Sequence, residues 1–287
     1  MIKIGIYGYE CTREISFDSY KIIPLTNNYT EAKKLASEQH VYNLTGFLEI
    51  DEKKSTNLYE LIFNLEAVLS FIDQKDVILT NKYGESEGYN NLNNEFPKTL
   101  NIHYRNSGGG KVVMSDAHST NSRENFIEMA MNKLSDLNDT NNKVFRSAFF
   151  KTIEVFRSPR NFIDVSYYLL FSALESLSRA VFSDYKSTSS KPIANLLSKY
   201  NFDISQDNVN NLYKSVSTYS HLRNSLFHNS ELETEVNING SIKDLKLSTF
   251  YPHFRRLLPL VMMKYIGFDD GHINWNSWLD RMIFKAK

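Results

Sequence analysis

The sequence predicts an α+β protein: a mixed α/β part over residues 1–120, followed by an all-α helical bundle over residues 121–287. Three observations carry that prediction. Short β-branched and aromatic runs bounded by turn residues crowd the first part. Long stretches with apolar residues at three- and four-residue spacing fill the second. The charge also changes sign at the same place. Residues 1–120 hold 12 Lys and Arg against 16 Asp and Glu, net −4, and residues 121–287 hold 21 against 17, net +4.

The chain has 287 residues, of which 41% are hydrophobic and 23% charged, enough for a sizeable core in one large domain or two ordinary ones. In the first part, strands are expected over Lys3–Tyr9, Glu14–Pro24, Thr45–Ile50, Val77–Leu79 and Lys111–Met114. Helices are expected over Tyr29–Gln39, which is rich in Ala, Lys and Glu, and over Asn57–Asp73. The second of these repeats Leu58, Leu61, Ile62, Leu65, Val68 and Leu69 at helical spacing. Lys82–Asn94 turns to Gly, Asn and Glu and reads as a loop. Ser107-Gly108-Gly109-Gly110 reads as a hairpin turn. A phosphate-binding loop needs a helix after its lysine, whereas Lys111 is followed by Val112-Val113-Met114.

In the second part, Asn121 or Ser122 caps a helix over Arg123–Leu137. Asn138–Asn142 is a polar break, and Asn142 can cap the next helix, Lys143–Arg157. Asn161–Phe182 carries the clearest apolar stripe, through Phe162, Val165, Leu169, Leu170, Ala173, Leu174, Leu177 and Val181. Tyr185–Ser190 is a loop, and Lys191–Tyr200 a short helix with Pro192 in its first turn. A long helix is expected over Asp207–Phe227, a polar loop over Ser230–Asp244, and helices over Tyr251–Ile266 and Trp275–Phe284.

Several chemistries are excluded. Cys11 is the only cysteine, so an intramolecular disulfide and a cysteine zinc site are both ruled out, which fits a reducing cytoplasm. No neighbour marks Cys11 as an activated nucleophile. The seven histidines lack HxxxH or HExxH spacing, so neither metal nor cofactor is expected. The start, Met1–Tyr7, reads as a strand rather than a secretion signal. The apolar run Leu257–Met263 is far shorter than the roughly 20 residues that span a bilayer. The expectation is a soluble, cytoplasmic protein with no membrane partner.

The most informative stretch is Leu222-Arg223-Asn224-Ser225-Leu226-Phe227-His228-Asn229. A guanidinium grips phosphate oxygens with a fork of donors. An imidazole takes or gives a proton near neutral pH. On a regular helix, residues five apart stand about 140° apart, so Arg223 and His228 do not share a stripe, whereas Asn224 and His228 do. The pair converges only if the helix ends or bends there, or if a second copy of the chain supplies half the site. Asn229-Ser230 suits a helix end, because Asn tolerates the left-handed conformation. A plainer reading also fits: an exposed helix arginine, and a histidine favoured at a helix C-terminus by the dipole.

Together with Asp164–Phe182, which includes Leu174-Glu175, this stretch resembles the HEPN superfamily of helical-bundle domains, in the ribonuclease branch marked by an R-x4–6-H motif. The Ala173-Leu174-Glu175 run is similar to that of a defence-associated, ApeA-like branch. The resemblance covers residues 121–287. It implies a four- or five-helix bundle that forms a homodimer, with two motif segments facing each other in one composite site. It also implies a metal-independent endoribonuclease, acting as a toxin or antiphage defence effector. A base takes the ribose 2′-OH proton, and that oxygen attacks the neighbouring phosphate. The products are a 2′,3′-cyclic phosphate and a 5′-OH. Arg223, Asn224 and His228 fall on the motif as catalytic residues, with His228 the acid/base, Arg223 the partner of transition-state charge and Asn224 the orienting group. Some small members carry a modifiable Tyr two residues after the His; here Ser230 stands there.

Supporting residues are His221, seven before His228, and Glu175, which can pair with Arg179 or with Arg223. Arg255 and Arg256, with Lys246 and Lys264 near, are candidates to line an RNA path. The first 120 residues match no family motif and are expected to sense a trigger or meet an antitoxin partner. The alternative from another class is a non-catalytic HEPN-like RNA- or nucleotide-binding module, or an interaction scaffold.

Overall fold

The computed structural model describes residues 1–38, 41–55, 57–80, 96–100, 110–160, 162–238 and 240–285. It mixes α and β structure, about 50% helical and 17% strand. The chain divides into two compact units, residues 1–135 with 156–160, and residues 136–155 with 161–287. The first unit therefore runs past the expected boundary at residue 120 and takes in the helix that follows it.

In the first unit, β1 (Ile2–Tyr7), β2 (Ile15–Ser16), β3 (Tyr20–Pro24), α1 (Tyr29–Ser37), β4 (Tyr42–Ile50), α2 (Leu58–Asp73), β5 (Ile78–Thr80), β6 (Thr99–Leu100) and α3 (Ser122–Ser135) follow in order. The strands form an antiparallel sheet in the order β2-β3-β4-β1-β5, with β6 also on β4. β1 and β4 pair Ile4 with Leu48 and Gly5 with Phe47. Gly46 is required where β4 passes β3: a Cβ there would lie 2.7 Å from the Ile23 carbonyl oxygen. Asn57 caps α2 by accepting from the Glu60 amide, 3.1 Å, and the expected apolar stripe buries Ile62, Leu65, Val68 and Leu69. Phe71 of α2 stacks on Phe126 of α3, centroids 5.3 Å apart, which ties α3 to this unit.

A charged cluster lies inside the first unit. Arg123 on α3 has no solvent exposure. Its Nη1 donates to the Glu10 carbonyl. Its Nη2 lies 3.3 Å from Asp73 and 3.5 Å from Glu10, Nε is 3.9 Å from Asp116, and the Tyr9 ring covers the guanidinium at 5.0 Å. Lys111 pairs with the other oxygen of Glu10. Burial pushes the Asp116 carboxyl up and the Cys11 thiol well above its ordinary value, so Cys11 is an inert core residue.

The second unit holds most of α4 (Thr140–Arg157), then α5 (Ile163–Phe182), α6 (Ser190–Lys199), a 3₁₀ turn (Leu212–Lys214), α7 (Val216–Asn229), a hairpin of β7 (Glu233–Ile238) and β8 (Ser241–Lys246), α8 (Leu247–Ile266) and α9 (Ser277–Asp280). An aromatic set joins three helices. Tyr167 of α5 donates to the Tyr219 carbonyl of α7, 2.7 Å, and Phe254 of α8 stacks on Tyr219 and packs on Tyr167.

Six expectations need correction. Lys111–Met114 is not a strand; Val112 and Val113 are buried bends, and the Val112 amide donates to Ile72 of α2. Glu14–Pro24 is two short strands joined by a turn at which the Phe17 amide donates to Tyr20. α4 begins at Thr140 inside the expected break, because the Asp139 side chain accepts the Asn141 amide at 2.7 Å. α7 begins nine residues later than expected: the segment Asp207-Asn208-Val209-Asn210-Asn211 is made of turn formers, and Asn208 accepts from the Asn211 amide. Ser230–Asp244 is mostly a β-hairpin rather than a loop. The expected terminal helix is shorter, Ser277–Asp280, with Ile273 bridged to Phe284. The Lys82–Asn94 loop and most of the Ser107–Gly110 turn lie outside the described residues.

Candidate functional site

The site is built on α7. Val216, Tyr219, Leu222 and Ser225 recur at a spacing of three and face the core, while His221, Asn224 and His228 face outward. Ser230 closes the helix in the left-handed conformation, φ 58°, and its amide donates to Leu226 at 3.0 Å. Ser230 thus takes the position that the sequence suggested for Asn229. The helix stays regular through both motif residues, so it neither ends nor bends between Arg223 and His228.

Arg223 sits on the flank that faces α5, with its side chain 28% exposed. Its guanidinium lies over Phe227 at 4.8 Å and near Phe171 at 5.8 Å. Nη1 donates to Asn224 Oδ1 at 2.9 Å, and Nη2 stands 3.9 Å from Glu175 Oε2. Nε is shut from solvent and has no hydrogen-bond partner. Glu175 is shared: its Oε1 accepts from Arg179 Nε at 3.0 Å and Nη2 at 2.8 Å. Both expected partners of Glu175 are therefore present, and Arg179 holds the closer contacts. Arg223 is left with an under-neutralised guanidinium braced by two aromatic rings.

His228 is exposed in the last turn of α7. No side-chain hydrogen bond is made by it among the described residues, and none joins it to Arg223. Two side chains missed at the sequence level fix its surroundings. The Ser225 hydroxyl donates to the Glu233 carbonyl at 3.0 Å, which pins the start of the hairpin to the motif helix. Glu231 accepts from Ser225 at 3.3 Å and from Asn229 at 3.4 Å. A serine within R-N-S was visible, but its partner becomes evident only once Ser230–Asp244 is known to be a hairpin.

Beside the motif runs an apolar groove of about 660 Å³, lined by Phe162, Val165, Tyr168, Leu226, Phe227 and Leu232. Phe162 is 61% exposed and Val165 54%. Tyr168 packs on Phe227, centroids 4.7 Å apart.

The other candidates lie elsewhere in the same unit. His221 lines a small polar notch with Thr218 and Asn237 of the hairpin, about 10 Å along the helix axis from His228 at 1.5 Å per residue. Arg255 and Arg256 lie on α8, and Arg256 Nε donates to the Pro252 carbonyl at 2.9 Å. Lys246 is paired with Glu233 at 3.0 Å, and Lys264 lies 3.7 Å over the Trp275 ring. No group of three or more His, Cys, Asp or Glu side chains suited to a metal ion occurs among the described residues, and no described helix is long and apolar enough to cross a membrane. A braced guanidinium with an amide on one flank of the helix, and an exposed imidazole one turn on and on another flank, supply a phosphate grip and a proton carrier that one chain does not bring together. No family model, no curated protein and no solved structure matches the chain.

Proposed function

We propose that the chain is a metal-independent endoribonuclease of the HEPN type, a cytoplasmic toxin or antiphage effector whose second unit is a helical bundle that pairs two-fold. The observation that carries this reading is the placement of Arg223, Asn224 and His228 on one regular helix next to an exposed apolar groove. Arg223 and His228 point about 140° apart on that helix, so a second copy of α7 completes the site. The groove side chains Phe162, Val165 and Tyr168 are the surface that the second copy covers.

In the reaction, His228 accepts the proton of the ribose 2′-OH as that oxygen forms a bond to phosphorus. The P–O5′ bond then breaks, and the leaving oxygen takes a proton from an imidazolium, either the partner copy's or the same His228, which has just gained one from the 2′-OH. Arg223 balances charge on the pentavalent phosphorus, and Asn224 holds its guanidinium or a phosphate oxygen. Glu175 keeps Arg223 on the α5 flank. The 2′-OH confines the reaction to RNA. The first unit is the site for a trigger or an antitoxin.

The test is cleavage of varied RNAs by the full chain in EDTA, in wild type, His228→Ala and Arg223→Ala. Loss in both variants with a cyclic-phosphate product in wild type supports the reading; equal cutting by the variants ends it. One observation favours a second reading, a non-catalytic RNA-binding module: Arg223 already has Asn224 and Glu175 beside it. That reading requires RNA binding that survives His228→Ala and no cleavage in wild type.

A further inference from the structure

A second cationic site lies in the second unit, where α9 packs on α8. His253 Nδ1 of α8 lies 2.9 Å from the Trp278 carbonyl oxygen of α9. Arg256 lies one turn after His253 and Arg281 three residues after Trp278, and both guanidiniums come near enough for their charges to act on His253 and for that of Arg281 to act on Arg256. Among the described residues, no ion pair is made by Arg256 or by Arg281, and only the charge of Asp280 partly offsets that of Arg256. The nearest acid, Asp280, has both oxygens occupied by Asn274 Nδ2, at 3.1 and 2.9 Å, and Oδ1 also accepts from the Met282 amide at 2.9 Å. Arg256 commits Nε to Pro252, while its Nη2 is shut from solvent without a partner.

The backbone adds to this. Arg281 closes α9 with φ 69°, a left-handed conformation that residues with a Cβ rarely adopt and where Gly or Asn is usual. The fold thus holds an arginine, in an unfavourable conformation, beside another arginine. Burial and the charge of Arg281 push Arg256 below its ordinary pKa. Burial and both arginines act in the same direction on His253. Tyr213 forms an aromatic wall, its ring 4.6 Å from His253. Two guanidiniums and an imidazole with the single carboxylate Asp280 among them, next to a flat ring, are what an oxyanion between two guanidinium forks would relieve.

We infer that Arg256 and Arg281 together hold a phosphate group of single-stranded RNA, at a place separate from Arg223 and His228. RNA as the source of the phosphate rests on the ribonuclease reading above; the oxyanion site itself does not. The site is a binding one and adds no chemical step.

The experiment uses the full chain with His228→Ala, to stop cutting, and compares it with the same chain carrying Arg281→Gln. Binding of a fluorescein-labelled single-stranded RNA is followed by anisotropy across a salt series. The expected result is about a tenfold loss of affinity and a salt slope shallower by about 0.7, the share of one phosphate. In parallel, inorganic phosphate is titrated while the His253 imidazole is followed by NMR. Phosphate should raise the His253 titration midpoint, and Arg281→Gln should abolish that rise. A phosphate response without RNA binding keeps the oxyanion site and discards RNA as its source. Unchanged RNA affinity with no phosphate response at His253 overturns the inference.

Discussion

Arg123 and Arg223 show two ways of holding a guanidinium. Arg123 is sealed in the first unit, with three carboxylates and a tyrosine ring around it. The field of those groups outweighs the cost of burial and holds its pKa above the ordinary value. Arg223 is braced by rings instead, its one carboxylate 3.9 Å away and closer to Arg179. An arginine saturated with acids can only support structure. One held in shape but left under-neutralised retains attraction for an incoming anion. Sequence alone does not separate the two, since both stand in helices next to polar residues.

The largest expected difference is in stability. Arg123→Met leaves Asp73 and Asp116 buried without their cation, and Glu10 with Lys111 alone, and should lower the unfolding free energy by about 3–5 kcal/mol in urea titration. Arg223→Met should cost less than about 1 kcal/mol in the same measurement, as a partly exposed pair does. Equal losses would erase the distinction between the two arginines.

Under the proposed ribonuclease reading, the contrast should reverse when RNA cleavage is measured. Arg223→Met should lower the rate by about 10²–10³-fold, the usual effect of removing a donor to transition-state charge. His228→Ala should lower it by about 10²–10⁴-fold. Neither variant should lose more than about 1 kcal/mol of stability, so the loss of rate is not a loss of fold.

Glu175→Gln is a subtler probe, because that carboxylate serves two arginines. It should cost about 0.5–1 kcal/mol of stability through Arg179. It should also lower kcat with little change in KM, because Arg223 loses its lateral support. A rise in KM with kcat intact would instead assign Glu175 a role in binding substrate.

The smallest effect concerns pH. Burial sets the His253 pKa below its ordinary value, so the unfolded chain binds the proton more readily than the folded one. Stability from neutral His253 is complete above the unfolded value, about 6.5, and is lost as pH falls from there through the folded value. His253→Gln should therefore narrow the gap between thermal midpoints at pH 7.5 and 5.5.

Local patterns were legible in the sequence where burial is one-sided and periodic. The stripes of α2, α5 and α8 are examples, as are the β-branched runs of β1, β3 and β4. The motif residues were legible by type and spacing. What stayed hidden depends on partners distant in the chain. Glu10, Asp73, Asp116 and Arg123 meet across the whole first unit, and nothing local to any of them signals this. The hairpin was hidden for another reason. Glu233-Thr234-Glu235-Val236-Asn237-Ile238 alternates as a strand should, and Asn239-Gly240 is a turn pair, but its high polarity reads as loop. Arg256 and Arg281 come together only through the packing of α9 on α8.

The unbroken run of α7 through Asn229 has a genetic consequence. Under the proposed two-fold site, the Arg and His that cooperate belong to opposite chains. A chain with Arg223→Ala and a chain with His228→Ala, each inactive alone, should complement one another when co-expressed, because the mixed pair keeps one intact Arg–His combination across the axis. Two lesions on the same chain leave no such combination. Inactivating alleles at these two positions should therefore rescue each other in trans and fail in cis.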